Sequence, residues 1–541
     1  MASFLFPPIP PPPPHLPSPR SDQPRLYTSS GFSSGVSPLA SIPSFSNAPP
    51  PRTFPETSSV PALTPGPLTT PSSASSRPAQ PRALKSRVFS SEDIDRYFDQ
   101  YFEHFHPYFP VVPCRKSTHE GGIFDFLVDA VRNEIWGSVS DPPVSLSTIN
   151  ALLILSVWPL PTIRFMKDPS PIYVSLLMNS CYMLGIHTGR GDFPTQVYPA
   201  YRLSVSDEEA VYSWVGFNVI SQRVSTYSGT PSTGQYFNST IESILDRTSP
   251  VKIPMYFYIL LESAAFLHRV GRTIAANLEQ EKGISHHVVE QLEEDFLKVQ
   301  SLMSAGISEV DQFTILSTLL ELQVFYFMPM PGFSQEAFKR NALRCHTTAQ
   351  SVIRLALKLN NEIEFLSHSP HFVCRSMLSA GCIVISALLS PSTKEVIERQ
   401  IQDAGATPDA VVNEALSGVR LCSIQDGDLP VRAAKMMESA WSVREILPAT
   451  ELSQLGQMDI SHRLGMGLPL DCIRRWKRQM EQIRPDKVTP QPVAAEGAGT
   501  AAVASAAEML AADPFSRVDW DAFMKDFDMN FDPALMDTVV A

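Results

Sequence analysis

The segment SSEDIDRYFDQYFEHFHP, residues 90–107, decides the fold class of this chain. It opens with two serines and two acids. This is the usual chemistry of a helix N-terminus, where hydroxyls accept from free backbone N–H groups and acids face the positive end of the dipole. Apolar and aromatic side chains then recur at spacings of three and four, at positions 94, 97, 98, 101, 102 and 105. That period predicts a helix with a buried aromatic face, ended by His106 and Pro107.

The same period recurs as far as residue 447, with proline, glycine or asparagine between most of the segments. Neither strand-type alternation nor a fixed repeat is sustained. The sequence therefore predicts an all-α fold, as one large domain or two closely packed ones. The further predicted helices cover residues 123–138, 146–158, 172–184, 208–227, 254–278, 285–303, 310–327, 334–360, 371–389, 394–404, 409–423 and 430–447.

Residues 1–87 are predicted to be a disordered Pro/Ser-rich arm. Many of the 49 prolines of this 541-residue chain lie there. Proline has no backbone N–H, and such a segment offers little apolar surface to bury. The run at residues 10–14 favours extended polyproline II. The arm is either a ligand for proline-binding domains or a solvated tail.

Charge and composition limit the function classes. The net charge of −12 argues against a chain that coats nucleic acid or anionic lipid along its length. The best apolar runs, at 149–158 and 256–267, stop short of the ~20 residues that cross a bilayer, so no membrane contact is expected. The N-terminus lacks the basic start and apolar core of a signal peptide. The seven scattered cysteines fit free thiols in an intracellular protein.

Common catalytic and cofactor signatures are absent from the sequence, including Gly-rich phosphate loops and nucleophile elbows. The closest cysteines, Cys374 and Cys382, are eight residues apart, and the histidine pairs lack ligands at chelating spacing. We therefore predict a protein that is not an enzyme, with no catalytic, metal or cofactor-binding residues. Because catalytic groups can converge from distant positions, an all-α enzyme or small-molecule-binding protein stays the alternative.

The last segment, residues 513–541, is acidic and follows a flexible linker at 481–512. Five of its aromatic and methionine residues fall at i, i+3, i+4, i+7 and i+11, on one face of a helix flanked by aspartates. Acidic-hydrophobic segments of this kind fold into the groove of a partner. The pattern predicts an activation segment that binds a transcriptional coactivator, and the alternative is a helix that docks on the chain's own domain. The predicted partner-binding residues are Trp520, Phe523, Met524, Phe527 and Phe531.

Three passages resemble the regulatory, or middle homology, domain of the fungal zinc-cluster (Zn2Cys6) transcription factors. The first is DIDRYFDQYFEHFHPYFPVV at 93–112. The second combines TINALLILSVWPLP at 148–161 with LLMNSCYMLGIHT at 176–188, and the third is DEEAVYSWVGFNVISQRVSTYSGTP at 207–231. The combination is most similar to the branch that contains activators of secreted-protease genes and regulators of leucine biosynthesis.

This resemblance implies an all-α regulatory domain over residues 88–480 of a nuclear, pathway-specific transcriptional regulator. It implies an activator of a metabolic or biosynthetic gene cluster, with no catalytic residues. It places Arg223 where the family has an acid–base pair near its tryptophan helix. The positions that match the family and are expected to be structural are Gly185, His187, Trp214, Gly229 and Pro231.

The zinc cluster that defines this family has no counterpart here, because residues 1–88 contain no cysteine. No zinc cofactor is therefore expected, and direct contact with DNA is in question. Either the protein acts through a zinc-cluster DNA-binding partner, or the gene sequence lacks the exon for its DNA-binding end. A further alternative is an inhibitor that titrates a full-length zinc-cluster factor by heterodimerisation.

A basic cluster, RRWKR, occupies residues 474–478. It is a candidate nuclear import signal or phosphate contact, and a solvated basic helix end is the alternative. The residues concerned are Arg474, Arg475, Lys477 and Arg478.

Overall fold

The aromatic segment forms helix α1, Ser91–Gln100, as its period predicts. Its aromatic face was predicted to be buried, but the aromatic side chains described between residues 97 and 105 are only half-buried. The Ser90 side chain caps it by accepting from the backbone N–H of Asp93 at 3.1 Å. The chain continues as a π-helical turn, Tyr101–Phe105, and a 3-10 turn, His106–Tyr108. Phe109 and Val111, directly beyond, are fully buried, so this segment is anchored in the core.

The computed structural model describes residues 82–84, 87–111, 133, 135–137, 140, 145–161, 168–191, 205–236, 238–280, 283–303, 307–328, 332–442, 444 and 467–482. The chain divides into two units, Met1–Ser72 and Ser73–Ala541, and all of these residues lie in the second. Helices dominate them, so the predicted all-α class is confirmed.

A small hairpin departs from the prediction. Strands β1 (Arg82–Leu84) and β2 (Arg87–Phe89) pair antiparallel, with Ala83 opposite Val88. From their composition, residues up to 87 are expected in the disordered arm, and no strand is expected there. Three-residue strands are shorter than the four to eight residues over which alternation becomes visible.

The remaining α-helices of the described residues agree with the predicted segments within a few residues, except that α5, α10 and α15 were not predicted. The predicted helix at 123–138 lies largely outside the described residues. The helices are α2 (Leu146–Val157), α3 (Ser170–Met183), α4 (Asp207–Ser228), α5 (Ser239–Leu245), α6 (Met255–Gln280), α7 (His286–Met303), α8 (Glu309–Gln323), α9 (Gln335–Ile363), α10 (Phe365–His368), α11 (His371–Leu389), α12 (Lys394–Asp403), α13 (Pro408–Leu421), α14 (Leu429–Ser442) and α15 (Gly467–Gln482).

Helix α4 is buried on almost every side because α2, α3 and α6 pack around it. A capping box fixes its start: the Ser206 side chain accepts from the Glu209 N–H, and the Glu209 carboxylate accepts from the Ser206 N–H. Gly229 ends it in the left-handed conformation, with φ of 69°. The Thr230 N–H then donates to the Ser225 carbonyl at 3.1 Å, as in a Schellman motif. This geometry explains the acidic start and the Gly-x-Pro end of the sequence passage.

Helix α11 is the other central helix, in contact with α9, α13, α14 and α15. It is long and apolar enough to cross a membrane. The search for uninterrupted apolar runs in the sequence did not single it out, because polar residues such as Arg375 divide the run. Since 94% of its most apolar window is buried in the structure, it is a core helix of the described region. The Trp158 indole N–H, after α2, donates to the carbonyls of His368 and Ser369 at 3.1 Å and connects α2 to the start of α11.

His346 on α9 makes the stability of this core sensitive to acid. Its side chain is 0% exposed and neither ring nitrogen has a hydrogen-bond partner. Burial lowers its pKa to about 4. Since the unfolded chain takes up the proton near pH ~6.5, the stability contributed at this site falls as the pH decreases from ~6.5 towards 4.

Between pH 7 and pH 4, the free energy of unfolding of the wild type should therefore fall by about 3 kcal/mol more than that of His346→Leu. Urea unfolding of the wild type and the variant at both pH values measures the difference. The same substitution at the exposed His287 serves as the control. Equal acid sensitivity of the wild type and the His346 variant would contradict the assignment.

Candidate functional site

A cavity of about 310 Å³ lies between α4, α6 and the end of α8, and we refer to it as the α4–α6 cavity. Three segments that are distant in sequence supply its walls. Helix α4 contributes polar groups, α6 contributes a mixed face, and the end of α8 contributes a carboxyl group and an aromatic ring. The lining residues used below are Gln222, Leu267, His268, Val270, Gly271, Arg272, Ala275, Glu321 and Phe325.

The register of α6 explains its contribution. Lining positions 267, 268, 271, 272 and 275 recur at spacings of three and four, which places them on one face of the helix. Gly271 occupies the middle of that face. A Cβ atom there would meet no other atom within 4 Å, so the missing side chain leaves open space.

The α4 wall contains a buried acceptor without a partner. Gln222 is 4% exposed, and its Nε2 donates to the Thr226 hydroxyl at 3.1 Å. Among the residues that the structure describes, its Oε1 has no hydrogen-bond partner. Buried polar atoms are almost always hydrogen-bonded, so this oxygen is an unusual feature of the cavity wall.

Beside it, a buried ion pair joins α4 to α8. Arg223 Nη1 donates to Glu321 Oε2 at 3.0 Å, and the two side chains are 2% and 14% exposed. The Ser376 hydroxyl of α11 donates to the other carboxylate oxygen at 3.4 Å. Burial raises the pKa of Glu321, while Arg223 and Ser376 oppose that shift. Glu321 is therefore the acidic partner of Arg223 in this structure.

Two of the passages that carry the family resemblance, at 176–188 and 207–231, meet around Trp214. Its ring is fully buried, stacks on Phe217 and has edge contacts with Tyr182 and His187. Its indole N–H donates to Asn238 Oδ1 at 3.2 Å. Gly185 takes a left-handed conformation before the short turn that contains His187. These residues hold helices together, as the resemblance implied for them.

The predicted partner-binding residues of the tail, Trp520, Phe523, Met524, Phe527 and Phe531, lie outside the described residues, and they stay a prediction. The basic cluster falls on α15. There Arg474 is exposed, whereas Arg475 is mostly buried and its Nε lies 2.7 Å from Asp471 Oδ2. Trp476 is buried in the main core, so the cluster sits on a docked helix. Lys477 and Arg478 follow on the same helix, and only their backbone is described.

Gly271→Ala is expected to raise the free energy of unfolding by about 0.5–1 kcal/mol, because glycine is unfavourable inside a helix and the new methyl group meets no atom. Urea unfolding measures the change. Gly216→Ala in α4 is the matched control with the opposite sign, since its Cβ would lie 2.5 Å from a methyl carbon of Val111. Overpacking of that kind destabilises by about 1–3 kcal/mol. A loss of stability in the Gly271 variant would show that its position is not open.

Comparison with known proteins found no matching family model and no matching solved structure. Curated relatives were found. The chain is 26% identical over 262 residues to the SEF1 transcription factor of Eremothecium gossypii, a match that covers 47% of this chain and 24% of the relative. It is 22% identical over 435 residues to the regulatory protein LEU3 of Saccharomyces cerevisiae, covering 67% and 47% of the two chains. The transcriptional regulatory protein SEF1 of Candida albicans matches at 22% identity over 236 residues, or 41% and 24%.

The chain is related to fungal transcription factors. The resemblance to the fungal zinc-cluster family, inferred from three passages, is thereby confirmed. The matched part is between 24% and 47% of the length of these relatives, so the chain spans less than half of each. Two of these relatives are named as transcription factors or transcriptional regulators and the third as a regulatory protein.

Proposed function

We propose that this chain is a nuclear, pathway-specific transcriptional regulator of the fungal type, with the described helices as its regulatory domain. The observation that carries the proposal is the similarity to proteins named as transcription factors and regulatory proteins, which extends over 435 residues in one case. The all-α architecture is the one that the family resemblance implied.

The finer form of the proposal is an activator of a metabolic or biosynthetic gene cluster. Its acidic tail would bind a coactivator through Trp520, Phe523, Met524, Phe527 and Phe531. A zinc-cluster protein would be its partner on DNA. The tail pattern supports the first contact, because aromatic side chains at helical spacing among aspartates suit a basic, apolar groove.

Fusion of the full chain to a heterologous DNA-binding domain tests activation with a reporter gene. We expect activation, and a loss of roughly tenfold or more in the triple variant Trp520→Ala, Phe523→Ala and Phe527→Ala, because buried aromatic anchors dominate such interfaces. The matched control replaces Val518, Lys525 and Met529 by alanine, on the opposite face of the same helix. Undiminished activation in the aromatic variant would remove the tail from the proposal.

Location and DNA contact need a separate experiment. A fluorescently tagged full chain is expected in the nucleus, and Arg474→Ala with Lys477→Ala and Arg478→Ala is expected to reduce its import. Arg475 is left unchanged because it is paired with Asp471. Chromatin immunoprecipitation, combined with identification of co-purified proteins, then distinguishes an activator on promoters from an inhibitor that removes a zinc-cluster factor from them.

A further inference from the structure

The α4–α6 cavity has the size and the walls of a small-molecule site. Its volume of about 310 Å³ lies at the lower end of the ~300–1,000 Å³ that ligand sites occupy. The side chains of Leu267, Val270, Ala275 and Phe325 give it apolar walls. An apolar ligand would cover these walls and displace water from them.

One buried acceptor in the cavity wall lacks a hydrogen-bond donor among the described residues. Gln222 Oε1 is buried and has no partner, while the Nε2 of the same amide is held by Thr226. Because that bond fixes the amide orientation, the oxygen remains as an acceptor. A ligand hydroxyl or amide N–H would satisfy it, which makes this oxygen the specificity point of the site.

The charges around the cavity favour an uncharged ligand. The nearest buried charges, Arg223 and Glu321, neutralise each other in a direct ion pair. Burial, together with the neighbouring Arg272, lowers the pKa of His268, so its ring is neutral at pH 7. Arg272 itself lies at the exposed rim. A cationic ligand would therefore give up its hydration without meeting an uncompensated negative charge, and an anionic ligand would meet only the solvent-screened guanidinium of Arg272.

Gly271 supports the same assignment independently. It is a mid-helix glycine at the centre of the lining face, where any larger side chain would project towards the cavity.

From these observations we propose that the α4–α6 cavity binds an uncharged, largely apolar small molecule that donates a hydroxyl or amide hydrogen to Gln222 Oε1. Binding of this kind is separable from transcription, because it requires only the folded helices.

Four probes of one shape test the proposal on the purified full chain at pH 7: cyclohexanol, cyclohexanone, cyclohexylammonium and cyclohexanecarboxylate. Ligand-observed NMR titration gives each dissociation constant. We expect cyclohexanol to bind saturably and roughly tenfold more tightly than cyclohexanone, which has no donor, since one hydrogen bond to an otherwise unpaired acceptor corresponds to about that factor. Both ionic probes should bind at least tenfold more weakly than the alcohol.

Two variants locate the binding. Gln222→Met keeps the volume and removes the acceptor, so it should abolish the preference for the alcohol over the ketone. Gly271→Leu should fill the cavity and abolish binding of both, whereas Gly271→Ala should leave most of the affinity. Circular dichroism confirms that each variant is folded.

Three results would overturn the proposal: no saturable binding of cyclohexanol, tighter binding of an ionic probe, or an unchanged alcohol preference in a folded Gln222→Met variant. Reporter activation is measured separately with the same variants. A chain that binds the alcohol without activating transcription contradicts the proposed function alone, and an active chain that binds no probe contradicts the cavity proposal alone.

Discussion

Replacing Arg223 by methionine is expected to lower the free energy of unfolding by about 3–5 kcal/mol. The substitution retains most of the side-chain volume and leaves the Glu321 carboxylate buried between α4, α8 and α11 without its counter-charge. An uncompensated buried charge is the reason for the large effect, because the pair itself gains little over an apolar contact. Urea unfolding, followed by circular dichroism, measures the change.

The double variant Arg223→Met with Glu321→Leu should recover most of that loss, since no buried charge then remains unpaired. A matched control is the exposed pair of Arg399 and Glu395 on α12, joined at 2.9 Å. There Arg399→Met should change stability by no more than about 1 kcal/mol. If the double variant is as unstable as the Arg223 variant, the arginine acts through packing rather than through its charge.

The helices could be predicted because local rules decide them. The spacing of apolar residues located α4, α9 and α11 within a few residues, and the Ser206 cap and Gly229 fixed the ends of α4. Helices α5 and α10, with seven and four residues, were missed because so few residues show no period. Helix α15 was interpreted as a basic stretch, although Leu468, Cys472 and Trp476 recur every four residues and are buried.

The cavity could not be predicted, because it depends on which helices meet. Gln222, Gly271 and Glu321 come from three helices, and the period of each helix shows which face is buried but not what that face contacts. Two signals were nevertheless present in the sequence. Gln222 and Arg223 are polar residues at buried positions of α4. Glu321 interrupts the apolar sequence at the end of α8. Polar residues at core positions therefore indicated where buried partners had to exist.

Asp168→Ala is expected to have an effect of similar size, about 3–5 kcal/mol, beside Tyr227 in the last turn of α4. Asp168 precedes α3 and accepts from the Ser170 N–H at 2.9 Å. Arg375 of α11 donates to its other oxygen at 3.2 Å, and both side chains are at most 5% exposed. The Arg375 Nε–H also donates to His371 Nε2 at 2.9 Å, and its guanidinium lies over the ring of Tyr227. Loss of the carboxylate removes a buried counter-charge of this guanidinium.

Asp168→Asn removes the negative charge but keeps the cap at the start of α3, because the amide oxygen can still accept a hydrogen bond from the Ser170 N–H. Burial acts to raise the pKa of Asp168, but Arg375, His371 and Ser170 outweigh it and hold the pKa below the usual value. The carboxylate therefore stabilises the fold above the unfolded pKa of ~3.9, and this contribution is lost as the pH falls through the folded pKa. The stability difference between wild type and Asp168→Asn should be constant from pH 7 to about 5 and should shrink below about 4. Equal stability of wild type and Asp168→Asn at pH 7, with Asp168→Ala still destabilised, would show that the cap, and not the ion pair with Arg375, is what Asp168 contributes.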